Sequence, residues 1–329
     1  MMRVLVAGGA GYIGSHTCKA LAQAGHLPIV YDNLATGHAW AVKWGPFEQG
    51  DLNDPAMLGS AMRRHRPDAV INFAGLINVG ESVQEPTLYY RANVASVITL
   101  LETMRAHDVG SVVFSSSCAI YGTPQRLPIV EGAAQNPINP YGRSKRMAEE
   151  LLRDACMAHG LGAIALRYFN AAGADADGEL GEEHDPETHL IPLVLQAALG
   201  TRRSISVFGA DYETPDGTCI RDYVHVADLA AAHVAALSAC RGGQYAAYNL
   251  GSGRGVSIND VIARSRAITG KPIPAEAAAR RPGDPASLIA DASLARKALL
   301  WEPSCSGIDN IIGSAWRWMA EHRSRVAGR

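Results

Sequence analysis

With 329 residues the chain can bury a sizeable core, enough for one large or two modest domains. Its hydrophobic fraction of 47% and charged fraction of 19% are those of an ordinary globular protein. A formal net charge of −2 gives no general basis for nucleic-acid or membrane-surface binding, so any anionic partner must be met by locally placed arginines.

Met1 to Val6 lead directly into a glycine loop with no apolar signal core, and no apolar run approaches the ~20 residues that span a bilayer. The strand-like Val4-Leu5-Val6-Ala7 ends in Gly8-Gly9-Ala10-Gly11-Tyr12-Ile13-Gly14. Ile13, Thr17, Ala20, Leu21 and Ala24 then recur at helical spacing, with Gly25 to close the helix. Strand, glycine loop and helix in this order suit a dinucleotide: small residues admit the pyrophosphate, whose charge faces the helix N-terminus. The glycines at 8, 11 and 14 are spaced Gly-x-x-Gly-x-x-Gly. A second strand, Pro28 to Tyr31, delivers Asp32, whose carboxylate suits the adenosine ribose hydroxyls and repels a 2′-phosphate, favouring NAD over NADP. Asp51-Leu52 follows another short strand and is placed for the adenine edge.

A helix over 55–65 leads to the strand Ala69 to Phe73 and a second small-residue loop, Ala74-Gly75; a further helix begins near Pro86. Val112-Val113-Phe114 then runs into Ser115-Ser116-Ser117, hydroxyls at the carboxyl end of a central strand. Asn139 caps a helix with Pro140 in its first turn, running to about His159. On it Tyr141 and Lys145 sit four apart on one face. An ammonium near a phenol lowers its pKa, so the pair suits proton transfer at a sugar or alcohol hydroxyl, with Ser117 sharing that hydroxyl. Strand Ala163 to Arg167 ends at Tyr168-Phe169-Asn170. Apolar strands alternating with long helices predict a doubly wound α/β fold with a parallel, Rossmann-type sheet covered on both faces.

Beyond residue 169 the composition turns Gly-rich and acidic, which sets a cofactor domain over 1–169 and a smaller α/β substrate domain over 170–329, with segments returning to the first. His184 and His189 lie among four carboxylates but are five apart in a Pro-broken loop, so a polar loop without a metal is expected. Strands are expected at 205–208 and 219–223, joined through a loop containing Asp216-Gly217, then a helix near 226–239 and a returning strand near 248–250. Ser257 with Asp260 reads as a helix cap, and Ile308, Ile311, Ile312, Ala315 and Met319 as the packing stripe of a last helix over 308–321. Arg221, Arg280 and Arg281 are cations suited to phosphate, the last two beside a Gly283-Asp284 turn. Six scattered cysteines without a Cys-x-x-Cys pair argue against a zinc ribbon or a disulfide framework and for a reducing cytoplasm.

Together these stretches resemble the extended short-chain dehydrogenase/reductases, and within them the UDP-glucose (UDP-galactose) 4-epimerase group. The stretches that carry the likeness run from Gly8 to His16, Asp32 to Leu34, Val79 to Ser82, Ser115 to Ser117 with Tyr121-Gly122, Tyr141 to Lys145, Arg167 to Asn170, Arg221 to His225 and Arg280 to Asp284. The resemblance implies reversible C4 epimerisation of a UDP-sugar through a 4-keto intermediate, a retained NAD and a homodimer. It makes Tyr141 the base, Ser117 its partner and Lys145 the ligand of the nicotinamide ribose. Cofactor contacts would include Tyr12, Ile13, Asn33, Phe73, Ala74, Gly75, Asn93, Ser115 and Tyr168. Asn170, His189, Leu190, Phe208, Arg221, Tyr223, Arg281 and Asp284 would hold the UDP-sugar. Two positions depart from the pattern: Ile77 replaces a lysine that touches the cofactor in some members, and Leu288 replaces a tyrosine against the sugar. A nucleotide-sugar dehydratase is disfavoured, because such members usually carry Thr-Asp/Glu-Glu where Ser117-Cys118-Ala119 stands. A non-catalytic NAD sensor would have no use for Ser117, Tyr141 and Lys145 together. The other alternative is a 4-epimerase acting mainly on UDP-N-acetylglucosamine or a UDP-pentose.

Overall fold

The computed structural model describes residues 1–281 and 283–327, without the side chains of 323–327; Pro282 of the arginine turn and residues 328–329 of the second domain lie outside the described residues. The first half of the chain runs through β1 (Arg3–Ala7), α1 (Tyr12–Gln23), β2 (Leu27–Asp32), β3 (Phe47–Gln49), α2 (Pro55–His65), β4 (Ala69–Asn72), α3 (Val79–Gln84), α4 (Pro86–Tyr90), α5 (Ser96–Ala106), β5 (Ser111–Ser117), α6 (Pro140–His159) and β6 (Gly162–Tyr168). The second half continues with β7 (Asn170–Ala172), α7 (Leu190–Ala198), β8 (Ile205–Phe208), β9 (Ile220–His225), α8 (Val226–Ala239), β10 (Tyr245–Leu250), β11 (Gly255–Ser257), α9 (Ile258–Thr269), β12 (Ala275–Ala278), β13 (Ser287–Leu288), α10 (Ser293–Leu299) and α11 (Ile308–Ala327).

Seven strands form one parallel sheet in the order β10-β6-β5-β4-β1-β2-β3. Alternate side chains of each strand enter opposite layers of core. Val4, Val6, Val30 and Ile71 pack with Leu21 of α1 and with Leu229, Ala232 and Ala236 of α8. On the other face Leu5, Val70, Val112 and Phe114 meet Leu58 and Met62 of α2, Leu100 and Met104 of α5, and Leu152 of α6. The strand order reverses between β1 and β4, and a doubly wound sheet opens its crevice at that reversal. β10 pairs with β6, so the chain returns to the first sheet after passing through the second half.

The smaller sheets belong to that half. β9 has β7, β11 and β13 as neighbours, while β8 pairs only with β12. The Asp216-Gly217 loop therefore joins strands of different sheets. The Asp216 carboxylate accepts from the Thr218 backbone and hydroxyl and from the Ser257 hydroxyl, which ties the loop to the N-terminus of α9 instead of closing a hairpin. The three serines close β5 at its carboxyl end, as the sequence predicts. Two further differences are local. The helix begun at Pro86 passes through a π turn at Arg91–Ala95 before α5, and α3, capped by Asn78, precedes it. α11 continues to Ala327. Among the described residues no helix is long and apolar enough to cross a membrane.

Candidate active site

The crevice is built first from the loops after β1 and β4. Gly8 has φ +76°, and a Cβ there would lie 2.7 Å from the Ala74 amide nitrogen, so the two loops meet with no room for a side chain. A Cβ on Gly14 would overlap the Gly8 carbonyl oxygen. Gly11 caps α1 without a side-chain bond, leaving the first-turn N–H groups of Tyr12 and Ile13 facing the loop. Tyr12 itself points away, its hydroxyl donating to the Gly173 carbonyl at 2.6 Å, which fastens the glycine loop to the second half. The loop fits a pyrophosphate, since its small residues and unclaimed helix N–H groups would meet the anion.

Asp32 ends β2 and is buried. Its two oxygens accept from the Ala10 N–H at 2.9 Å and the Leu34 N–H at 2.8 Å. Burial raises its carboxyl above the ordinary value, and those two N–H groups oppose the rise. Each oxygen keeps a lone pair for a ribose hydroxyl. Asn33 donates to Asp51 at 2.9 Å, and the Asn53 N–H with that amide holds the Asp51 carboxyl low. Leu52 is buried in the core, so only its backbone can serve an adenine.

Across the reversal, Phe73 packs its ring against His233 at 4.5 Å. Gly75 lies against Asn93, which accepts from the Leu76 N–H at 2.8 Å and donates to the Leu76 carbonyl and the Ser144 hydroxyl. Asn93 thus shapes the loop from the π turn, with its polar atoms largely engaged. Ile77 is exposed.

α6 brings in Tyr141 and Lys145. Asn139 accepts from the Gly142 N–H at 2.8 Å, Pro140 takes the first turn, and Gly160 closes the helix at φ +72°. Lys145 is buried, donates to the Ser115 carbonyl at 2.9 Å and sits 6.0 Å above the Tyr141 ring. Burial pushes its ammonium down to about 8, partly countered by the Glu149 carboxylate. Ser117 closes β5 and accepts from the Ala119 N–H. The Tyr168 and Ser115 hydroxyls bond each other. Burial raises the Tyr141 phenol well above its ordinary value, and the Ser117 hydroxyl lowers it. The sequence suggested that Lys145 would lower that phenol; in the protein alone, desolvation of the phenolate wins.

Behind these groups lies a polar network absent from the sequence reading. Glu149, one turn beyond Lys145, takes the Arg167 guanidinium at 2.6–3.2 Å, the Ser116 hydroxyl at 2.5 Å and the Tyr245 hydroxyl at 2.8 Å. Arg167 also donates to Tyr121, which donates to Asn249. The ion pair is almost fully buried.

In the second half, β7 and β9 pair Asn170 with Tyr223, and β9 and β13 pair Arg221 with Leu288. Arg221 is nearly buried and forms a short ion pair with Asp284. Its charge reaches Cys118, next to Ser117, and opposes the rise that burial causes in that thiol. Leu288 packs near Cys118 and Phe169. The Arg281 guanidinium stacks over Phe208 at 4.1 Å. Arg280 points to Asp211 at 2.7 Å and stacks on Tyr212. His189 precedes α7, while Leu190 opens that helix and packs into its core. The loop before α7 is more than polar: it gathers Glu182, His184, Glu187 and His189. A separate cluster, Asp175, Asp177 and Glu179, is held by Lys19 at 2.7–2.8 Å.

The sheet order and the two loops at its reversal define a doubly wound, dinucleotide-binding class of protein. Within that class, residues 4–251 match the model of the NAD dependent epimerase/dehydratase family, and the chain belongs to that family. It is 50% identical over 322 residues to a UDP-glucose 4-epimerase of Halalkalibacterium halodurans, covering 98% of this chain and 96% of the relative. It is also similar to the crystal structure of a UDP-glucose 4-epimerase from Brucella ovis in complex with NAD, at 54% identity and TM-score 0.93, covering 96% and 98% of the two chains. The enzyme from Bifidobacterium longum in complex with NAD+ and UDP aligns at 40% identity and TM-score 0.94, covering 98% and 99%.

Proposed function

We propose that this protein interconverts UDP-glucose and UDP-galactose by reversible epimerisation at C4, with NAD as its cofactor. One observation carries the reading: buried Lys145 stands 6.0 Å above the Tyr141 ring and bonds the Ser115 carbonyl, at the carboxyl end of β5 where Ser117 lies, next to the crevice of the glycine loop. The family membership and the relatives' activity agree with it. Residues 1–169 would mainly hold NAD, and residues 170–329 mainly the UDP-sugar.

In this reading the pyrophosphate sits on Gly8, Gly11 and Gly14, and Asp32 takes the adenosine ribose. Lys145 takes the nicotinamide ribose, beside Gly75 and Tyr168. Bound NAD supplies a hydride acceptor that is restored within each turnover. Tyr141 takes the C4 hydroxyl proton and later returns it, while Ser117 shares that hydroxyl and fixes its direction. With its pKa raised by burial, Tyr141 needs added positive charge nearby to become a base, which couples proton transfer to a filled cofactor site. Arg221, Arg281 and Asp284 hold the UDP, with Asn170, His189, Leu190, Phe208 and Tyr223 around it. Binding energy then comes largely from the remote UDP, leaving the 4-keto sugar free to present its other face. Cys118 and Ala119 follow Ser117 and offer no acid for water loss.

A second reading, a 4-epimerase for UDP-N-acetylglucosamine or a UDP-pentose, is favoured by Leu288 at the sugar wall. A homodimer is proposed through α5 and α6, which expose Ile98, Met147 and Met157. Six free cysteines suit a reducing cytoplasm. The deciding experiment incubates purified protein with UDP-galactose and no added cofactor. UDP-glucose should form until equilibrium, and absence of product even with added NAD rejects the proposal.

A further inference from the structure

Between β7 and α7 the chain brings four metal-ligating groups to one point. His184 Nδ1 lies 3.4 Å from Glu187 Oε2 and 3.6 Å from Glu182 Oε1. His189 Nδ1 lies 2.6 Å from Glu182 Oε1 and 3.6 Å from Glu187 Oε1. One ligand atom of each residue lies within 4.8 Å of those of the other three. A tetrahedral ion with bonds of about 2.0–2.1 Å to nitrogen and oxygen separates its ligand atoms by about 3.3 Å. The His184 distances to Glu182 Oε1 and Glu187 Oε2 are close to that edge, whereas His189 and Glu182 stand closer, at an ion-pair distance that a bound ion would open.

One hydrogen bond, between His184 Nδ1 and Glu187 Oε2 at 3.4 Å, runs inside the cluster and would give way to an ion. Glu187 Oε1 accepts the N–H groups of Thr188 at 2.7 Å and His189 at 2.8 Å, which orients the carboxylate and turns Oε2 towards His184. Glu182 is only 6% exposed, and its Oε1 receives no aligned hydrogen bond. His189 Nδ1, despite its closeness, is not aligned to donate to it. A buried carboxylate oxygen without a donor is costly, and a native structure normally supplies one or a cation. A divalent cation with both imidazoles neutral balances the cluster. Two imidazole nitrogens with two carboxylate oxygens suit a borderline ion such as Zn²⁺ better than Mg²⁺ or Ca²⁺, which favour all-oxygen shells.

We propose that Glu182, His184, Glu187 and His189 form a binding site for one zinc-class divalent cation. The ion would clamp the loop ahead of α7 against the glycine loop, because the His184 ring meets the Tyr12 ring edge-on at 6.4 Å. The site shares His189 with the proposed UDP contacts but none of the groups assigned to proton transfer, and the test varies only His184 and Glu187, so its failure and that of the epimerase reading are distinguishable.

The test uses tagless, NAD-loaded protein stripped with a chelator, then titrated with ZnCl₂, with MgCl₂ and with CoCl₂. One zinc per chain should bind, Co²⁺ should give the visible absorption of tetrahedral coordination, and Mg²⁺ should not compete. His184→Gln and Glu187→Gln should each weaken zinc binding at least tenfold while melting as cooperatively as the metal-free wild type. Absence of stoichiometric zinc in the wild type overturns the proposal. So does an unchanged affinity in both variants, which would place the ion on surface histidines or cysteines. Should either variant fail to fold, the wild-type cobalt spectrum decides, and an octahedral spectrum counts against the site.

Discussion

Around Tyr141 the polar groups are fixed by backbone and by buried bonds, whereas the arginines of the second half lean mainly on side chains, Arg221 and Arg280 with one backbone carbonyl each. Lys145 rests on the Ser115 carbonyl, Ser117 on the Ala119 N–H, and Asn93 on Leu76. By contrast Arg221 rests on Asp284, Arg281 on the Phe208 ring and Arg280 on Asp211. The first set can receive a ligand with little rearrangement. Arg221 and Arg280 must share or exchange their carboxylates to take a phosphate, so ligand binding there is a competition, whereas Arg281 lies on a ring. The first region should therefore show its mutations in the rate, and the second in affinity.

The largest effect is expected at Tyr141. Tyr141→Phe removes one buried hydroxyl and leaves the helix packing in place. General acid/base groups contribute about 10²–10⁴-fold, so kcat should fall by at least that order while NAD stays bound. Single-turnover and steady-state assays on the same preparation check this, and near-normal epimerisation would remove Tyr141 from the proton path.

The network beneath Tyr141 should show in stability instead. Glu149→Ala leaves the Arg167 guanidinium, 2% exposed, without its carboxylate. Breaking a buried pair in this way costs about 3–5 kcal/mol. Denaturant midpoints of Glu149→Ala and of the double variant Glu149→Leu/Arg167→Met separate lost pairing from lost packing; the double variant should recover much of the deficit. Equal losses in both would show that the charges themselves are not what the site depends on.

Lys145 makes the fixed region dependent on pH. Its folded pKa, about 8, is below the ordinary value because burial disfavours the charge. Between about pH 8 and pH 10.4 the unfolded chain holds a proton that the folded chain has lost, so this group makes stability rise with pH. Below that window its buried charge is a constant penalty. Compared with Lys145→Met, nucleotide-free wild type should gain up to about 3 kcal/mol across the window. Parallel curves would mean that the ammonium is better solvated than its burial suggests.

What the sequence discloses follows from the same contrast. Gly8 to Gly14, Asp32 and the Tyr141–Lys145 pair are legible because each acts through local spacing on a strand end or helix face. Glu149 and Arg167 are 18 residues apart and were not paired from sequence, although an arginine ending an apolar strand already demands a buried acceptor. His184 and His189 lie five apart in a Pro-broken loop and match no dependable ligand motif, so the sequence reads there as a polar loop. Only the path of the loop brings them together with Glu182. The π turn that aims Asn93 breaks the 3.6-residue period, so no helical pattern could have placed it.

In the exchangeable region Arg221→Ala and Arg281→Ala should each weaken UDP binding while retaining NAD. A charge-assisted contact is worth about 1.5–3 kcal/mol, roughly ten- to hundredfold in affinity. Arg221→Ala should be the worse of the two, because it also strands the Asp284 carboxylate, whereas Arg281 leaves only a ring face. Titration calorimetry with UDP checks the order. Unchanged binding in both would place the diphosphate elsewhere.

The smallest effect is expected at the sugar wall. Leu288 lies opposite Arg221 in the β9–β13 register and is half-buried against the cluster that contains Cys118 and Phe169. Its neighbours are thus Arg221, proposed to hold phosphate, and the cluster of Cys118, which follows Ser117. A leucine is shorter than a tyrosine and brings no hydroxyl, so the space beside the sugar should be somewhat roomier. Relief of one steric contact is worth about 1–3 kcal/mol in discrimination. Wild type should thus interconvert UDP-glucose and UDP-galactose efficiently and retain a secondary activity on UDP-N-acetylglucosamine or a UDP-pentose. Leu288→Tyr should lower kcat/KM for the bulkier acetamido sugar more than for the hexose pair. Arg221 sits next to the substitution, so UDP affinity must be measured alongside: a shared fall would report disturbance of the phosphate site, while a changed ratio at constant UDP affinity would identify the wall. If the ratio does not move, or wild type has neither secondary activity, sugar choice is set by residues other than Leu288.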